Sequence, residues 1–453
     1  MRSTPSARPA SDPSSAGPAP RVEPDGQTPA SPRHPRRRAL VGTGMGNALE
    51  WYDWHVYGLF APFFAKQFFN PDDELSALLS TLALFAVGFF MRPVGAVVFG
   101  WIADRKGRRL AMVASIALQS AGSFAIGLAP PYASVGAAAS VCLLLARLAQ
   151  GMAHGGELPS AQTYIAEMAP LRRRGRWTSI IYVSGACGIL TATLLGAGLS
   201  NVYGAEGMAA WGWRVPFILG GLFGIYTLFL RTKLTETHAF EKVPSAEQPR
   251  AKRPSIWRGF WQHRAAAGRV IGLTAGLTVT YYSWTTAAPA YAISVLKLDP
   301  TAVLLAEIAA LIVFIVALPL CGILSDRIGR RPNLLFFGVG MAVLSYPLTW
   351  LAQSGEVWAL GIATTIALIF IATCASIAPA VFAELFPTHV RTTGTGVPYA
   401  IAVALFGGTT PYLQTWLAGH NAQSYFTGYA IALLLVGVLV AWTSPESRAK
   451  PLE

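Results

Sequence analysis

Five charged side chains stand inside long apolar runs: Glu50, Asp53, Arg92, Arg147 and Glu157. A charge in that setting costs about 2.5–3.5 kcal/mol on insertion scales, so each needs a partner or a task. Glu50 and Asp53 are three residues apart and share a helix face. Arg92 lies about ten residues from the end of its apolar run, roughly 15 Å at ~1.5 Å per residue, which is near mid-bilayer. A guanidinium at that depth suits a carboxylate ligand, gripped by two parallel hydrogen bonds. The alternative is a structural ion pair with Glu50, Asp53 or Glu157. A carboxylate in a low-dielectric site holds its proton tightly, and a neighbouring arginine loosens it. A ligand that occupies the arginine therefore promotes protonation of the carboxylate. Asp53, Glu50 and Glu157, in that order, are the candidates for this proton linkage. His55 and His154 can titrate near neutral pH or serve as satisfied structural residues.

A second polar group follows much later. Tyr281-Tyr-Ser-Trp-Thr-Thr286 interrupts an apolar run, with Pro289 just beyond. Tyr281 and Tyr282 are candidates to offer hydroxyls to a ligand facing Arg92, the other reading being helix–helix packing. Gln414, Tyr399 and Ser376 are candidates of the same kind, and Glu307 is placed near the outer end of its run. No motif indicates catalysis. There is no G-x-x-x-x-G-K-[ST] phosphate loop, no metal-ligand cluster and no nucleophile–base pair, so neither a cofactor nor a metal is expected.

These residues must be held by helices. The chain has 453 residues, 53% hydrophobic and 13% charged. A soluble domain carries roughly 25% charged residues. A span needs about 20 apolar residues. On that basis spans are predicted near 39–67, 77–100, 110–129, 138–168, 175–200 and 212–231, then near 266–295, 301–323, 333–352, 356–385, 391–417 and 424–443. The fold class is all-α, a polytopic membrane protein of twelve helices in two pseudo-symmetric halves. Its expected parts are a disordered tail (1–34), a first half (35–231), a central loop (232–264), a second half (265–445) and a short tail (446–453). The net charge of +13 sits mainly in short loops, which argues against nucleic acid and marks topology. Arginine-rich loops alternate with acidic ones, so the lipid bilayer is the setting and both termini are expected in the cytoplasm. Cys142, Cys187, Cys321 and Cys374 are expected as buried thiols.

Two repeats reveal the duplication. Gly100-Trp-Ile-Ala-Asp-Arg-Lys-Gly-Arg-Arg109 returns as Gly322-Ile-Leu-Ser-Asp-Arg-Ile-Gly-Arg-Arg331, each after the second span of a half. Glu167-x-x-Pro-x-x-x-Arg174 returns as Glu384-x-x-Pro-x-x-x-Arg391, each after the fourth. Asp104, Arg105, Arg108, Glu167, Arg174, Asp326, Arg327, Arg330, Glu384 and Arg391 form the candidate cytoplasmic gate. Their charge pairs either close the inner side in one state or simply keep these loops inside.

Further motifs accompany them: Gly46–Asp53 (GNALEWYD), Phe90–Gly95 (FMRPVG), Arg147–Gly151 (RLAQG) with Gly155-Gly156-Glu157, Gly212–Phe217 (GWRVPF) and Ala383–Pro387 (AELFP). Together the chain resembles the major facilitator superfamily and, within it, the metabolite:proton symporters that include α-ketoglutarate, citrate, shikimate and proline/betaine permeases. That resemblance implies alternating access in a bacterial cytoplasmic membrane. It also implies symport of a proton with a small carboxylate such as α-ketoglutarate or another di- or tricarboxylate, and no enzymatic activity. A zwitterion or shikimate is the alternative substrate, and a non-transporting sensor a remoter one. Arg147 falls at the family's helix-four arginine position, which implies substrate contact or proton coupling. A monomer suffices for such an architecture. Leu158-Pro159 departs from the family pattern, and Pro159 is expected to kink the fourth span.

Overall fold

In lipid no backbone N–H or C=O can be left to water, so each apolar run closes its hydrogen bonds internally as a helix. The computed structural model describes residues 33–70, 73–106, 108–155, 157–232, 263–388, 390–450 and 452, with backbone alone at 33–43, 100, 103–106, 108–109, 157–160 and 230–232. Among them the helices join into twelve rods. Span one is Arg33–Phe68; span two is Glu74–Phe90 continued by Arg92–Lys106; span three is Arg108–Gly127; span four is Ala137–Ala153 continued by Glu157–Met168; span five is Arg174–Gly207; span six is Arg214–Thr232. Span seven runs Arg264–Tyr282, Ser283–Ala287 and Ala288–Ser294; span eight is Pro300–Ile328; span nine is Arg330–Ala352. Span ten is Val357–Ala375 with Ala378–Glu384; span eleven runs Arg391–Ala402, Val403–Gly407 and Thr410–Gly419; span twelve is Gln423–Thr443. Residues 40–453 form one compact unit. The expected tail 1–34 and central loop 232–264 lie almost wholly outside the described residues.

Among the described residues, seven helices are long and apolar enough to cross a membrane by length and composition, and two shorter ones, Ala137–Ala153 and Arg214–Phe229, are apolar as well. The rods that miss this test, spans one, seven and eleven, are those interrupted by polar side chains. Spans one and seven are buried nearly throughout from Tyr52 to Ala65 and from Gly272 to Ala292. By contrast Trp350, Trp442, Val343 and Tyr226 are exposed on spans nine, twelve and six. Apolar surface of that extent is stable against lipid, not water.

The breaks have local causes. Spans seven and eleven each contain one π turn, Ser283–Ala287 and Val403–Gly407. Pro289 and Pro411 follow; each lacks the N–H that its helix would aim four residues back, at Thr285 and at Gly407, and the ladder widens there. Span four breaks at His154–Gly155, ahead of Pro159, which sits in the first turn of the next segment. A proline there removes no hydrogen bond. The interruption expected at Pro159 thus comes earlier, at His154–Gly155. Cys187, expected to be buried, is exposed on span five, while Cys374 is buried.

Candidate functional site

Spans two and four touch backbone to backbone. A Cβ on Gly151 would stand 2.0 Å from the carbonyl oxygen of Gly88, and one on Gly155 would stand 2.0 Å from that of Arg92. This glycine-lined crossing brings Arg92 and Arg147 to one indole. The guanidinium carbon of Arg92 lies 4.4 Å from the ring of Trp54 and 4.3 Å from Phe89. That of Arg147 lies 4.2 Å from Trp54 and 4.0 Å from Tyr57. Both arginines are buried. Arg147 Nη1 donates to Gln150 Oε1 at 2.8 Å, and Gln150 Nε2 donates to Ser123 Oγ at 2.9 Å. Arg92 Nε and Arg147 Nε and Nη2 are buried donors without a hydrogen-bond partner. Among the described residues no carboxylate lies within ion-pair distance of either guanidinium. Of the structural ion pairs considered for Arg92, those with Glu50 and Asp53 are therefore not formed in this conformation.

The two carboxylates of span one diverge. Glu50 Oε1 meets His154 Nδ1 of span four at 3.4 Å. Asp53 Oδ2 accepts a hydrogen bond from Gln119 Nε2 of span three. Its other oxygen backs onto span six, where a Cβ on Gly220 would stand 2.5 Å away. Residues three apart differ by about 60° around a helix, which suffices to give the two groups different partners. Gln119, Gln150 and the Glu50–His154 contact were not identified from the sequence; a histidine or glutamine in an apolar run gives no hint of which helix it will face. The side chain of Glu157 lies outside the described residues.

The polar-aromatic band of span seven splits. Tyr282 meets Phe85 and Phe89 at 6.0 and 5.5 Å between ring centres and so joins the wall around Arg92. Tyr281 instead packs on Trp51 at 5.4 Å and Phe314 at 6.2 Å. Thr285 gives its hydroxyl to the carbonyl of Tyr281. Ser283 and Trp284 line a separate cavity of about 40 Å³ with Gln414 and Gln423. Of the candidates for meeting a ligand beside Arg92, the structure brings Tyr282 there and not Tyr281.

At one end of the rods, called the basic face, the repeated motifs exchange partners between halves. Arg174 Nη1 donates to Glu384 Oε1 at 2.6 Å, and Arg391 Nη1 to Glu167 Oε1 at 2.7 Å. Asp326 accepts the backbone N–H groups of Gly175 and Arg176, both at 2.9 Å, at the start of span five. It also pairs with Arg330 at 2.9 Å, and Arg330 reaches Glu384 at 3.5 Å. Gly329 turns the chain with φ 113°, a region that favours glycine. Arg327 is exposed and stands outside this network. The side chains of Asp104, Arg105 and Arg108 lie outside the described residues. At the opposite face Glu74 binds Lys66 at 2.5 Å and Lys297 of the other half at 2.8 Å.

The segment after span twelve joins the basic-face network. Glu446 accepts from the backbone N–H groups of Arg330 and Arg331, both at 3.0 Å, so it caps span nine. Ser447 Oγ donates to Glu384 Oε2 at 2.5 Å, and Arg174 Nη1 to the carbonyl of Lys450 at 3.3 Å. Partial burial opposes ionisation of Glu446. The N–H groups of Arg330, Arg331 and Arg448 and the Arg330 guanidinium outweigh it and hold the carboxyl below its ordinary range. A depressed folded pKa gives stability that is present above the unfolded pKa and lost as pH falls through the folded one. Glu446→Gln should therefore lower the melting temperature at pH 7, by the equivalent of about 0.5–1 kcal/mol for a charge at a helix N-terminus. The gap to wild type should shrink below about pH 4.

Comparison with known proteins places this geometry in a family. The model of the Major Facilitator Superfamily matches residues 43–397 and 273–453. The chain is 36% identical over 411 residues to the alpha-ketoglutarate permease of Escherichia coli K12, covering 90% of this chain and 93% of that one. It is 33% identical over 433 residues to the proline/betaine transporter of the same organism, covering 92% and 85%. Among solved structures, a D-xylose-proton symporter superposes with TM-score 0.69 at 18% identity, over 92% of this chain and all of that one, a likeness of fold. Matches of this extent, on a twelve-rod frame with buried charges at mid-depth, establish that the chain belongs to the Major Facilitator Superfamily and is an integral membrane transporter, not an enzyme.

Proposed function

We propose that the chain is a proton-coupled symporter of a small dicarboxylate, with α-ketoglutarate as the first candidate. The observation that carries this reading is the pair of buried guanidinium groups at Trp54, with three N–H donors lacking partners. A dianion can use those donors through charge-assisted hydrogen bonds, with Tyr282 completing the wall. Arg92 is the substrate anchor, and Arg147 extends the same site. The formal charges of Arg92, Arg147, Glu50 and Asp53 cancel while both carboxylates are ionised. A dianion entering this low-dielectric site leaves it negative, and protons on Asp53 and Glu50 restore the balance. Glu157 is the third candidate for this role, by its place in the sequence. The relative identified as an α-ketoglutarate permease supports the substrate.

The proline/betaine relative supports a zwitterion as the second reading. A quaternary ammonium would seek aromatic faces. Here Trp54, Phe89 and Tyr57 already carry guanidinium groups, which favours the anion.

The basic face is proposed to lie in the cytoplasm, with both chain ends on that side of the bacterial plasma membrane. Its charge pairs, Asp326 and Arg330 included, form the gate that parts when the inner side opens; the undescribed Asp104, Arg105 and Arg108 are assigned to it by their motif. Each monomer holds a complete site. The test is uptake of labelled α-ketoglutarate into proteoliposomes, with unlabelled succinate, citrate, proline, betaine and shikimate as competitors. Competition by dicarboxylates and not by proline or betaine is expected; the reverse order rejects the anion site. Asp53→Asn should lose accumulation driven by a proton gradient while retaining exchange of labelled for unlabelled substrate. Undiminished accumulation would remove Asp53 from the coupling path.

A further inference from the structure

The carboxylates assigned to proton linkage all belong to the first half, yet the second half buries one that has no ion pair among the described residues. Glu307 lies two turns inside span eight, is 3% exposed, and its Oε1 makes no hydrogen bond. It sits on the apolar stripe of Leu304, Leu311 and Phe314, all buried. This stripe follows span five of the other half. A Cβ on Gly196 would meet Leu304 at 3.3 Å, and further along Gly322 backs onto Gly175. Interpolation between these two contacts sets Glu307 level with residues 190–193 of span five.

Among the described residues no cation stands opposite. Span five offers Thr193 at that level, whose hydroxyl is 3.5 Å from His55 Nε2 of span one, and Cys187 about one turn away. Span seven offers Tyr281, which touches Phe314. Span ten presents Ala359, Gly361, Ala363 and Thr364, none of which titrates. The charged groups just before span eight are engaged elsewhere: Lys297 binds Glu74, and Asp299 caps the helix through Ala302 N–H. Among the described residues an ionised carboxylate in this seam would have no counter-charge, and its Oε1 no hydrogen-bond donor to replace water.

We propose that Glu307 is a further titrating group of the transport cycle, one that must be protonated for the seam to close. It holds a proton while the seam between spans five and eight is closed at its level. It releases that proton to water when the seam opens toward the face that carries Glu74, and takes one up before the seam closes again. Its O–H bond is the one that breaks and reforms, with water as acceptor and donor. This inference rests on the reading of the chain as a proton-coupled carrier.

The experiment has two arms, both on the full chain in proteoliposomes. In the first, the wild-type protein is treated with a hydrophobic carbodiimide, which adds to protonated carboxyls, and the Glu307 peptide is followed by mass. Labelling near about pH 6 that falls at least about tenfold by about pH 9 is expected, since each pH unit above a titration lowers the protonated fraction about tenfold. No labelling, or labelling independent of pH, overturns the proposal. In the second, exchange of labelled α-ketoglutarate is measured over the same range for wild type and Glu307→Gln, whose amide stands in for the protonated acid. The wild-type rate should fall as pH rises, and that of Glu307→Gln should fall less steeply, because Asp53 and Glu50 still titrate in the variant. Identical profiles overturn the titrating role and leave Glu307 structural. Wild-type protein that exchanges no α-ketoglutarate refutes the substrate reading instead, and the carbodiimide arm, which needs no substrate and no variant, still decides Glu307.

Discussion

Replacing Arg92 by alanine is expected to lower the apparent affinity for α-ketoglutarate by about 100-fold, and Arg92→Lys should recover little of it. A hydrogen bond to a charged group contributes about 1.5–3 kcal/mol. A bidentate grip on a carboxylate therefore loses on the order of 3 kcal/mol, and every 1.4 kcal/mol is about tenfold. Lysine supplies the charge but not the planar fork. The folded protein should tolerate the change. Arg92 pairs with no carboxylate among the described residues, so its removal strands neither Glu50 nor Asp53. What is lost is its stacking on Trp54 and Phe89, worth about 2 kcal/mol or somewhat more for a desolvated cation. Concentration-dependent initial rates in proteoliposomes read the effect, with melting temperature as the control. An unchanged KM would mean that the substrate is held elsewhere.

The second large effect belongs to Glu384. It is 3% exposed in its side chain and receives Arg174, Arg330 and Ser447 together. Removing one partner of a buried pair costs about 3–5 kcal/mol, because the other charge is left without compensation. The counterpart pair differs: Arg391 is 2% exposed, but Glu167 is 40% exposed, so solvent screens it and about 1 kcal/mol is the reasonable scale. Glu384→Gln should thus shift the protein toward a state open at the basic face by at least about 100-fold, and Glu167→Gln by less than about tenfold. A cysteine at position 376, with the native cysteines replaced, reports this. Ser376 is fully buried, its carbonyl taken by the Thr178 hydroxyl, so its alkylation needs an open seam. Equal and small effects of both changes would show that the pairs do not hold this face shut. The double exchange Arg174→Glu with Glu384→Arg should restore only part of the closure, since Arg330 would then meet a cation.

The same contrast between local and long-range information runs through the whole reading. The rods were legible because apolar length leaves the backbone little choice, and the breaks in spans seven and eleven follow from Pro289 and Pro411. Arg92 stood out because a charge at mid-depth is costly. Its neighbours did not: Trp54 becomes the meeting point of Arg92 and Arg147 only through the crossing of spans two and four at Gly88, Gly151 and Gly155. The two Glu-x-x-Pro-x-x-x-Arg copies read as a repeat, which does not say which arginine each glutamate meets. Pseudo-symmetry sets each copy against the other, so Arg174 binds Glu384 and Arg391 binds Glu167. Tyr281 and Tyr282 are adjacent in sequence, yet successive residues on a helix face different neighbours, and only Tyr282 reaches the wall at Phe89. The tail gave no signal, because the cap that Glu446 makes on span nine joins residues over a hundred positions apart.

The central claim is that the paired arginines take up a dicarboxylate together with protons. The most direct measurement is the external pH of lightly buffered, de-energised proteoliposomes when α-ketoglutarate is added. Alkalinisation is expected, in step with uptake of the label, abolished by a protonophore and absent with Arg92→Ala. Labelled α-ketoglutarate entering without any pH change, or alkalinisation given by proline and not by α-ketoglutarate, would contradict it.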